Sequence, residues 1–432
     1  MPGKWSRRGV WTTVAALSVT LTGVLTGCGS SSGGDGPQTI RFVWWGAQDR
    51  ADATEKAVAL FEKKYPDIKV KTEFSGYADY VQKLTTQMAG GAAPDVMQLD
   101  RPTFGEYVHR HVLADLGDAG KAIRVNKIPS NLLSGGQVDG AQYAIPAGQT
   151  AQVLVYDTAL FKKAGVTLPS QGNGWTWEQF TTAMNKVGSA TGTPGTTDFG
   201  WAVDWFESWL HAQGKQLYTS AGKLAFTKDD LARFWNLTGD MRKAKGVSAP
   251  QATTKMDGSM QTSALVLKQA ASEMNYDSNL TSYNASYKGT LKAAPLPGAA
   301  GSDRTGMAAL PPVYYGVAQH SSHKDAAEKL LDFLVNDPAA GKALGATRGL
   351  PANTDIRTRV CDAATAGDKA VCDYESSVTD RLGPSATWLW PTGSSAIKTD
   401  FQQVYDDVIF GKTSVADAAE RVVKDAQDSL DS

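Results

Sequence analysis

Apolar and polar residues alternate over 39–45 (TIRFVWW), the period of a β-strand. Beyond Gly46, Ala47, Gln48, Asp49 and Arg50, the spacing of Ala57, Leu60, Phe61 and Lys64 is that of a helix face. The segment 68–74 (IKVKTEF) alternates again, 80–88 has helical spacing, and 95–99 (DVMQL) reads as a buried third strand. This β-α-β-α-β order predicts an α/β fold with a mostly parallel sheet flanked by helices. A further strand is predicted over 151–156. Helices are predicted over 177–187, 205–212, 228–243, 325–335, 394–410 and 415–430. Open parallel sheets bind ligands at the carboxyl ends of their strands, so Trp45 to Arg50, Gly76 with Tyr77, and Asp100 with Arg101 are expected on one rim.

The first residues follow a different pattern. Lys4, Arg7 and Arg8 precede an apolar run over 14–25, which ends in Leu25-Thr26-Gly27-Cys28. A basic start, a short apolar stretch and small residues before a cysteine make a bacterial lipoprotein signal (1–27), in which the Cys28 thiol takes the lipid. The run is too short and too rich in threonine to span a bilayer. The alternative is an ordinary secretory signal in which Cys28 is incidental. Ser6-Arg7-Arg8 also resembles the opening of a twin-arginine signal, which leaves the export route open. After Cys28, GSSSGGDG makes the segment 28–37 a flexible tether with a reach of about 15 Å. The folded body is thus expected on the outer face of the cell membrane, held there by the lipid anchor alone.

Composition narrows the classes. The 432 residues, less the leader, are too many for one ordinary core and suit two lobes. Lys and Arg number 43 against 44 Asp and Glu, so a nucleic-acid partner lacks its electrostatic footprint. Besides Cys28 there are Cys361 and Cys372, which in an oxidising exterior are expected to pair, a loop closure that stabilises by about 3 kcal/mol. A metal pair ranks lower, because no histidine lies near them in sequence. No cofactor is implied.

Several segments carry a resemblance to a known family: FVWWG at 42–46, LFEKKYPDIKV at 60–70, KLTTQMAGGAAPDVMQLD at 83–100 and AAEKLLDFLVNDPAAGKAL at 326–344. Together they resemble the carbohydrate-type extracellular solute-binding proteins of ABC importers, over nearly the whole mature chain. WWG followed by Arg50, with GQTAQVLVYD at 148–157, looks most like members that carry plant cell-wall oligosaccharides. The resemblance implies two α/β lobes joined by three crossings, near Ala147, Thr305 and Leu350. One lobe would be 38–147 plus 306–350, the other 148–305 plus 351–432. A sugar or oligosaccharide would lie in the cleft, and the partners would be ABC permease subunits, with the receptor a monomer.

Sugars present C–H faces and a ring of hydroxyls, so a receptor needs flat aromatic surfaces and charged or amide partners around them. Trp44 and Trp45 are adjacent on a strand and must face opposite ways, and Trp45, nearer the strand end, is the cleft candidate. Asp100 follows an apolar strand, where its carboxylate can accept two hydroxyls; the alternative is a helix N-cap. With Arg101 it resembles the sugar-contacting Asp-Arg pair of maltodextrin-binding members, although Pro102 departs from that pattern. Asp49, Arg50 and Gln48 lie in the first loop, Tyr77 on the rim and Gln149 at the first crossing. From the second lobe, the resemblance implies Trp205, Tyr276 and one of Trp388 and Trp390 as aromatic contacts, with Asn275 and Asp277 as hydrogen-bond partners or turn formers. Tyr314, Tyr315 and Arg348 lie near the returning crossings. If Arg50, Arg101 and Arg348 converged, they would favour an acidic sugar.

Two rivals remain. A surface glycosidase or lyase would need paired carboxylates, for which Asp49, Asp100, Asp204 and Glu207 are available. A solute-binding protein for a peptide, a polyamine or a charged metabolite would keep the fold and change the ligand. The sequence holds no G-x-S-x-G, H-E-x-x-H or phosphate loop.

Overall fold

The computed structural model describes residues 37–117, 122–169, 174–300, 305–383 and 390–431. Cys28, with the leader and most of the tether, lies outside them, as does Trp388. In chain order the strands are β1 (Gln38–Trp45), β2 (Ile68–Ser75), β3 (Val96–Leu99), β4 (Gln137–Val138), β5 (Ala141–Gln142), β6 (Ala144–Pro146), β7 (Gly148–Gln149), β8 (Gln152–Asp157), β9 (Ser272–Tyr276), β10 (Leu291–Ala294), β11 (Tyr314–Val317) and β12 (Leu350–Pro351).

The first sheet has the order β2-β1-β3-β11-β6. Strands β2, β1 and β3 are parallel, and β11 runs antiparallel to both β3 and β6. The pleat separates the two tryptophans as strand geometry requires. Trp44 is fully buried with Ile40 and Phe42 on one face, its ring 6.0 Å from that of Phe74. Trp45 turns to the other face, half-buried, with ring centroids 5.6 Å from Tyr77 and 5.3 Å from Tyr80.

The second sheet, β10-β8-β9, is antiparallel throughout. The parallel arrangement expected from the β-α-β pattern is therefore confined to the first sheet. Between β8 and β9 the chain makes a long helical excursion over 158–271 and re-enters from the opposite end. That excursion builds the larger apolar cluster. The helix Lys228–Lys243 begins with a capping box between Thr227 and Asp230 and buries Leu231, Phe234, Trp235, Thr238 and Met241 at helical spacing. The helix Val415–Leu430 packs Ala418, Ala419, Val422 and Ala426 inward, beside the helix Ser394–Ile409. Each large apolar side chain so buried contributes about 1.5–3 kcal/mol.

Backbone passing between the sheets is gathered in one place. Gly148 pairs with Pro351, Gln149 with Leu350, and Thr150 with Leu310. The approach is close enough that a Cβ on Gly349 (φ +75°) would lie 2.1 Å from the Gln149 carbonyl oxygen. Only glycine tolerates both that φ and that contact.

Cys361 and Cys372 form a disulfide, as their spacing and setting predict, and it joins the helices Thr354–Asp362 and Ala366–Val378. Replacing both cysteines by serine is expected to lower the unfolding free energy by about 3 kcal/mol, measured by urea denaturation under oxidising conditions. An unchanged midpoint would contradict the stabilising role of the bond.

Candidate functional site

The carboxyl ends of β1, β2 and β3 bring Trp45, Tyr77 and Asp100 to one rim. Asp100 is the N-cap of the helix Arg101–His109, and one carboxylate oxygen accepts from the Thr103 backbone N–H at 3.2 Å. The same oxygen accepts from the Thr103 hydroxyl, while the other accepts from the Tyr77 hydroxyl. Asp100 thus serves as the cap that its alternative reading allowed, and it also ties Tyr77 to the rim. Pro102 sits in the first turn, where no intrahelical acceptor awaits its missing N–H, so it does not disturb the helix.

Arg101 reaches from the end of the first sheet to a helix of the excursion between β8 and β9. Its guanidinium forms an ion pair with Glu207 of the helix Val203–Ala212 and lies 4.9 Å from the Trp390 ring centroid. The Trp390 indole N–H donates to the second Glu207 oxygen at 3.4 Å. Burial alone would lower the Arg101 pKa, but Glu207, Tyr276 and Asp204 reverse this and raise it above the ordinary arginine value. The Nη1 of Arg101 is buried without a hydrogen-bond partner.

Further contacts gather at the same place. The Tyr276 hydroxyl donates to Asp204 at 3.1 Å, and its ring stands 5.5 Å from that of Trp205. Lys398 lies 3.8 Å from the other Asp204 oxygen and 5.5 Å from the Tyr77 ring centroid. Ser395 donates to Glu106 at 3.2 Å, and Ser282 donates to Asp49 at 2.7 Å. Trp205 and Trp390 are 7% and 2% exposed. The half-buried rings of Trp45, Tyr77 and Tyr276 are the ones that border the seam.

Other sequence candidates lie elsewhere. Gln48 is exposed and donates to Asp52 within its own helix, at 2.8 Å. Gln149 is at the crossings, donating to Glu375 at 2.7 Å and accepting from Arg357 at 3.3 Å. It borders a cavity of about 810 Å³ whose lining includes Leu350, Arg357 and Glu375. Asn275 donates to the Tyr283 hydroxyl at 2.8 Å, inside the second lobe. Asp277 accepts from Thr150 Oγ1 at 2.6 Å and from the Ala151 N–H at 3.1 Å, which anchors the first crossing. Tyr314 is buried, and Tyr315 is buried beneath Arg348, whose guanidinium is 5.9 Å from its ring. The three arginines do not converge: Arg50 and Arg348 are neighbours, whereas Arg101 is engaged with Glu207. Sequence reasoning weighed Glu207 only as an enzyme carboxylate, although it stands two residues from Trp205. It missed Lys398 and Ser282, whose helical positions carry no local signal.

Residues 47–341 match the family model described as bacterial extracellular solute-binding protein. A 189-residue stretch is 30% identical to an uncharacterized lipoprotein of Streptomyces antibioticus, covering 44% of this chain and 41% of that protein, about two fifths of the relative's length. Among solved structures, an extracellular solute-binding protein family 1 member from Alicyclobacillus acidocaldarius is 29% identical, with a TM-score of 0.67, over 93% of this chain and 100% of that one. A periplasmic oligogalacturonide-binding protein from Yersinia enterocolitica, in complex with saturated digalacturonic acid, has a TM-score of 0.80 at 21% identity, covering 91% and 98%. That likeness is one of fold.

The carboxyl pair at the crossings has a pH signature. Burial pushes Asp277 from 3.8 up to about 7, against the opposing hydrogen bonds of Thr150, the Ala151 N–H and Glu375, and burial together with the Asp277 charge raises Glu375 well above its ordinary value. The folded protein then keeps a proton that the unfolded chain has already lost, so stability falls as pH rises from about 4 to about 7. Urea midpoints of the parent protein are expected to decline over that window, and those of Asp277→Asn to decline less. Equal slopes would show that this carboxyl does not titrate late.

Proposed function

The chain belongs to the bacterial extracellular solute-binding protein family, and from that premise we propose that it is a lipid-anchored receptor which captures a sugar or oligosaccharide between its lobes and delivers it to an ABC permease. We place one lobe at 38–147 with 306–350 and the other in the remainder of the folded chain, hinged at the crossings. The observation that carries this reading is the meeting of aromatic and charged side chains from both lobes at one seam. Trp45, Tyr77, Asp100 and Arg101 come from the first, and Asp204, Glu207, Tyr276 and Trp390 from the second. Ring faces beside carboxylates and a guanidinium suit the alternating apolar and hydroxyl surfaces of a sugar.

The present contacts across the seam are those of a closed arrangement, with Arg101 and Glu207 satisfying each other. On opening, these groups would become available to hydroxyls, and the unpartnered Arg101 Nη1 already lacks an acceptor. A ligand that supplies those bonds would favour closure by its differential affinity for the closed form, and closure is what a permease would read. The oligosaccharide-binding protein of the same fold supports a carbohydrate ligand. The lipoprotein relative, the Cys28 signal and the family support the outer face of the membrane as the location.

Binding rather than catalysis fits the carboxylates. Asp49, Asp100, Asp204 and Glu207 each accept a hydrogen bond from a neighbouring side chain, as carboxylates that hold hydroxyls do, and the family model matched is that of a binding protein. Incubation of the detergent-solubilised full chain with labelled oligosaccharides should give stoichiometric retention of intact ligand, and multiple turnovers of cleavage would contradict the proposal. Trp45→Ala is expected to weaken the binding roughly tenfold by isothermal titration. Unchanged affinity would remove Trp45 from the site.

A further inference from the structure

Beside the seam, two guanidinium groups lie together with no carboxylate paired to them. Arg50 is in the first turn of the helix Gln48–Lys64, whose N-cap, Ala47, provides no side-chain cap. Its side chain folds back over Gly46, where a Cβ would lie 2.5 Å from the arginine Cδ. A residue larger than glycine at position 46 would push Arg50 away, so the sequence WWG holds it at the strand end. Arg50 donates to the Thr347 carbonyl at 2.9 Å and to the Trp45 carbonyl at 3.2 Å.

Arg348 stands behind it and is only 4% exposed. It donates to the Gln98 side-chain oxygen at 2.9 Å and to the Thr54 hydroxyl at 2.8 Å, and its Nη1 is buried without a partner. Among the described residues neither arginine forms an ion pair. Burial, then the charge of Arg348, pulls Arg50 down to about 10. Burial likewise lowers Arg348. Asp49 acts on both from a distance, but its carboxylate takes the Ser282 hydroxyl of the other lobe. That contact sets the pair at the mouth between the lobes.

Two buried positive charges side by side are costly, and Asp49 offsets that cost only in part, since both guanidinium groups stay below the ordinary arginine value. Here a half-buried guanidinium, a second one with a free N–H, and an uncapped helix N-terminus all favour an anion in the same place. We propose that Arg50 and Arg348 form a carboxylate subsite, so that the captured carbohydrate is an acidic one, bearing a uronate on the ring nearest the first helix. Arg50 makes the direct contact, and Arg348 supplies the buried charge behind it. This inference rests on the carbohydrate reading and refines it from sugars in general to those with a carboxylate.

Isothermal titration of the detergent-solubilised full chain with digalacturonate and with its dimethyl ester separates charge from sugar shape. The acid is expected to bind roughly tenfold to a hundredfold more tightly than the ester, the range for charge-assisted hydrogen bonds. In Arg50→Gln that ratio should fall close to one, with the thermal midpoint reporting that the variant is folded. Equal affinity of the parent protein for acid and ester would overturn the subsite and leave carbohydrate binding standing. So would binding of neutral oligosaccharides alone. If neither neutral nor acidic oligosaccharides bind, the carbohydrate reading falls, and the subsite falls with it.

Discussion

The whole arrangement depends on the narrow place where backbone passes between the two sheets. Gln149 against Leu350 and Thr150 against Leu310 are paired there, and Asp277 grips Thr150 and Ala151 from the second lobe. Because these passages lie side by side, the backbone joins the two sheets at one locus, while Arg101 and Glu207 meet elsewhere. Glycine at 349 is a condition of that closeness. A wider junction would fix the rims at one separation, and a single passage would leave their relative orientation undefined.

Energetics divide along the same line. Inside each lobe the contacts are apolar and numerous, from Trp44 and Phe42 on the first sheet to Trp235, Phe206 and Tyr405 around the second. Across the seam, among the described residues, they include ion pairs, hydrogen bonds and cation–ring contacts: Arg101 with Glu207 and the Trp390 ring, Lys398 over the Tyr77 ring, Ser395 with Glu106 and Ser282 with Asp49. A hydrogen bond that merely replaces bonds to water is worth about 0.5–1.5 kcal/mol, and one to a charged group about 1.5–3. A seam of this kind can part while the lobes stay folded, and a ligand that replaces its partners can close it again.

Much of the fold was legible in the sequence, because most of its elements show a clear period. The strand at 39–45 and the helices at 228–243 and 415–430 lie where alternation or helical spacing put them. The elements that were missed are short or carry a sparse apolar face. Tyr314–Val317 is four residues long and buried on both faces. The helices Thr354–Asp362 and Ala366–Val378 do bury residues at helical spacing, Ile356 with Val360 and Val371 with Tyr374, Glu375 and Val378, but one of these is a carboxylate and the apolar positions are sparse. The antiparallel second sheet was hidden because its strands are separated by a long excursion, and no local pattern records which end of a sheet a chain re-enters. The positions of Trp45, Tyr77 and Arg101 at the strand ends were legible from topology alone. Their partners on helices, Glu207 and Lys398 above all, are known only once the lobes are set against each other. Asp100 had two readings, and its carboxylate fills the cap while holding Tyr77.

Closure about the crossings is the central claim. Spin labels at two exposed helix positions on either side of the seam, Gln82 and Thr399, would report it by pulsed dipolar spectroscopy on the full chain with and without oligosaccharide. The account predicts a longer, broader distance distribution without ligand and a shorter, narrower one with it. One unchanged distance in both samples, with ligand shown to be bound, would contradict it.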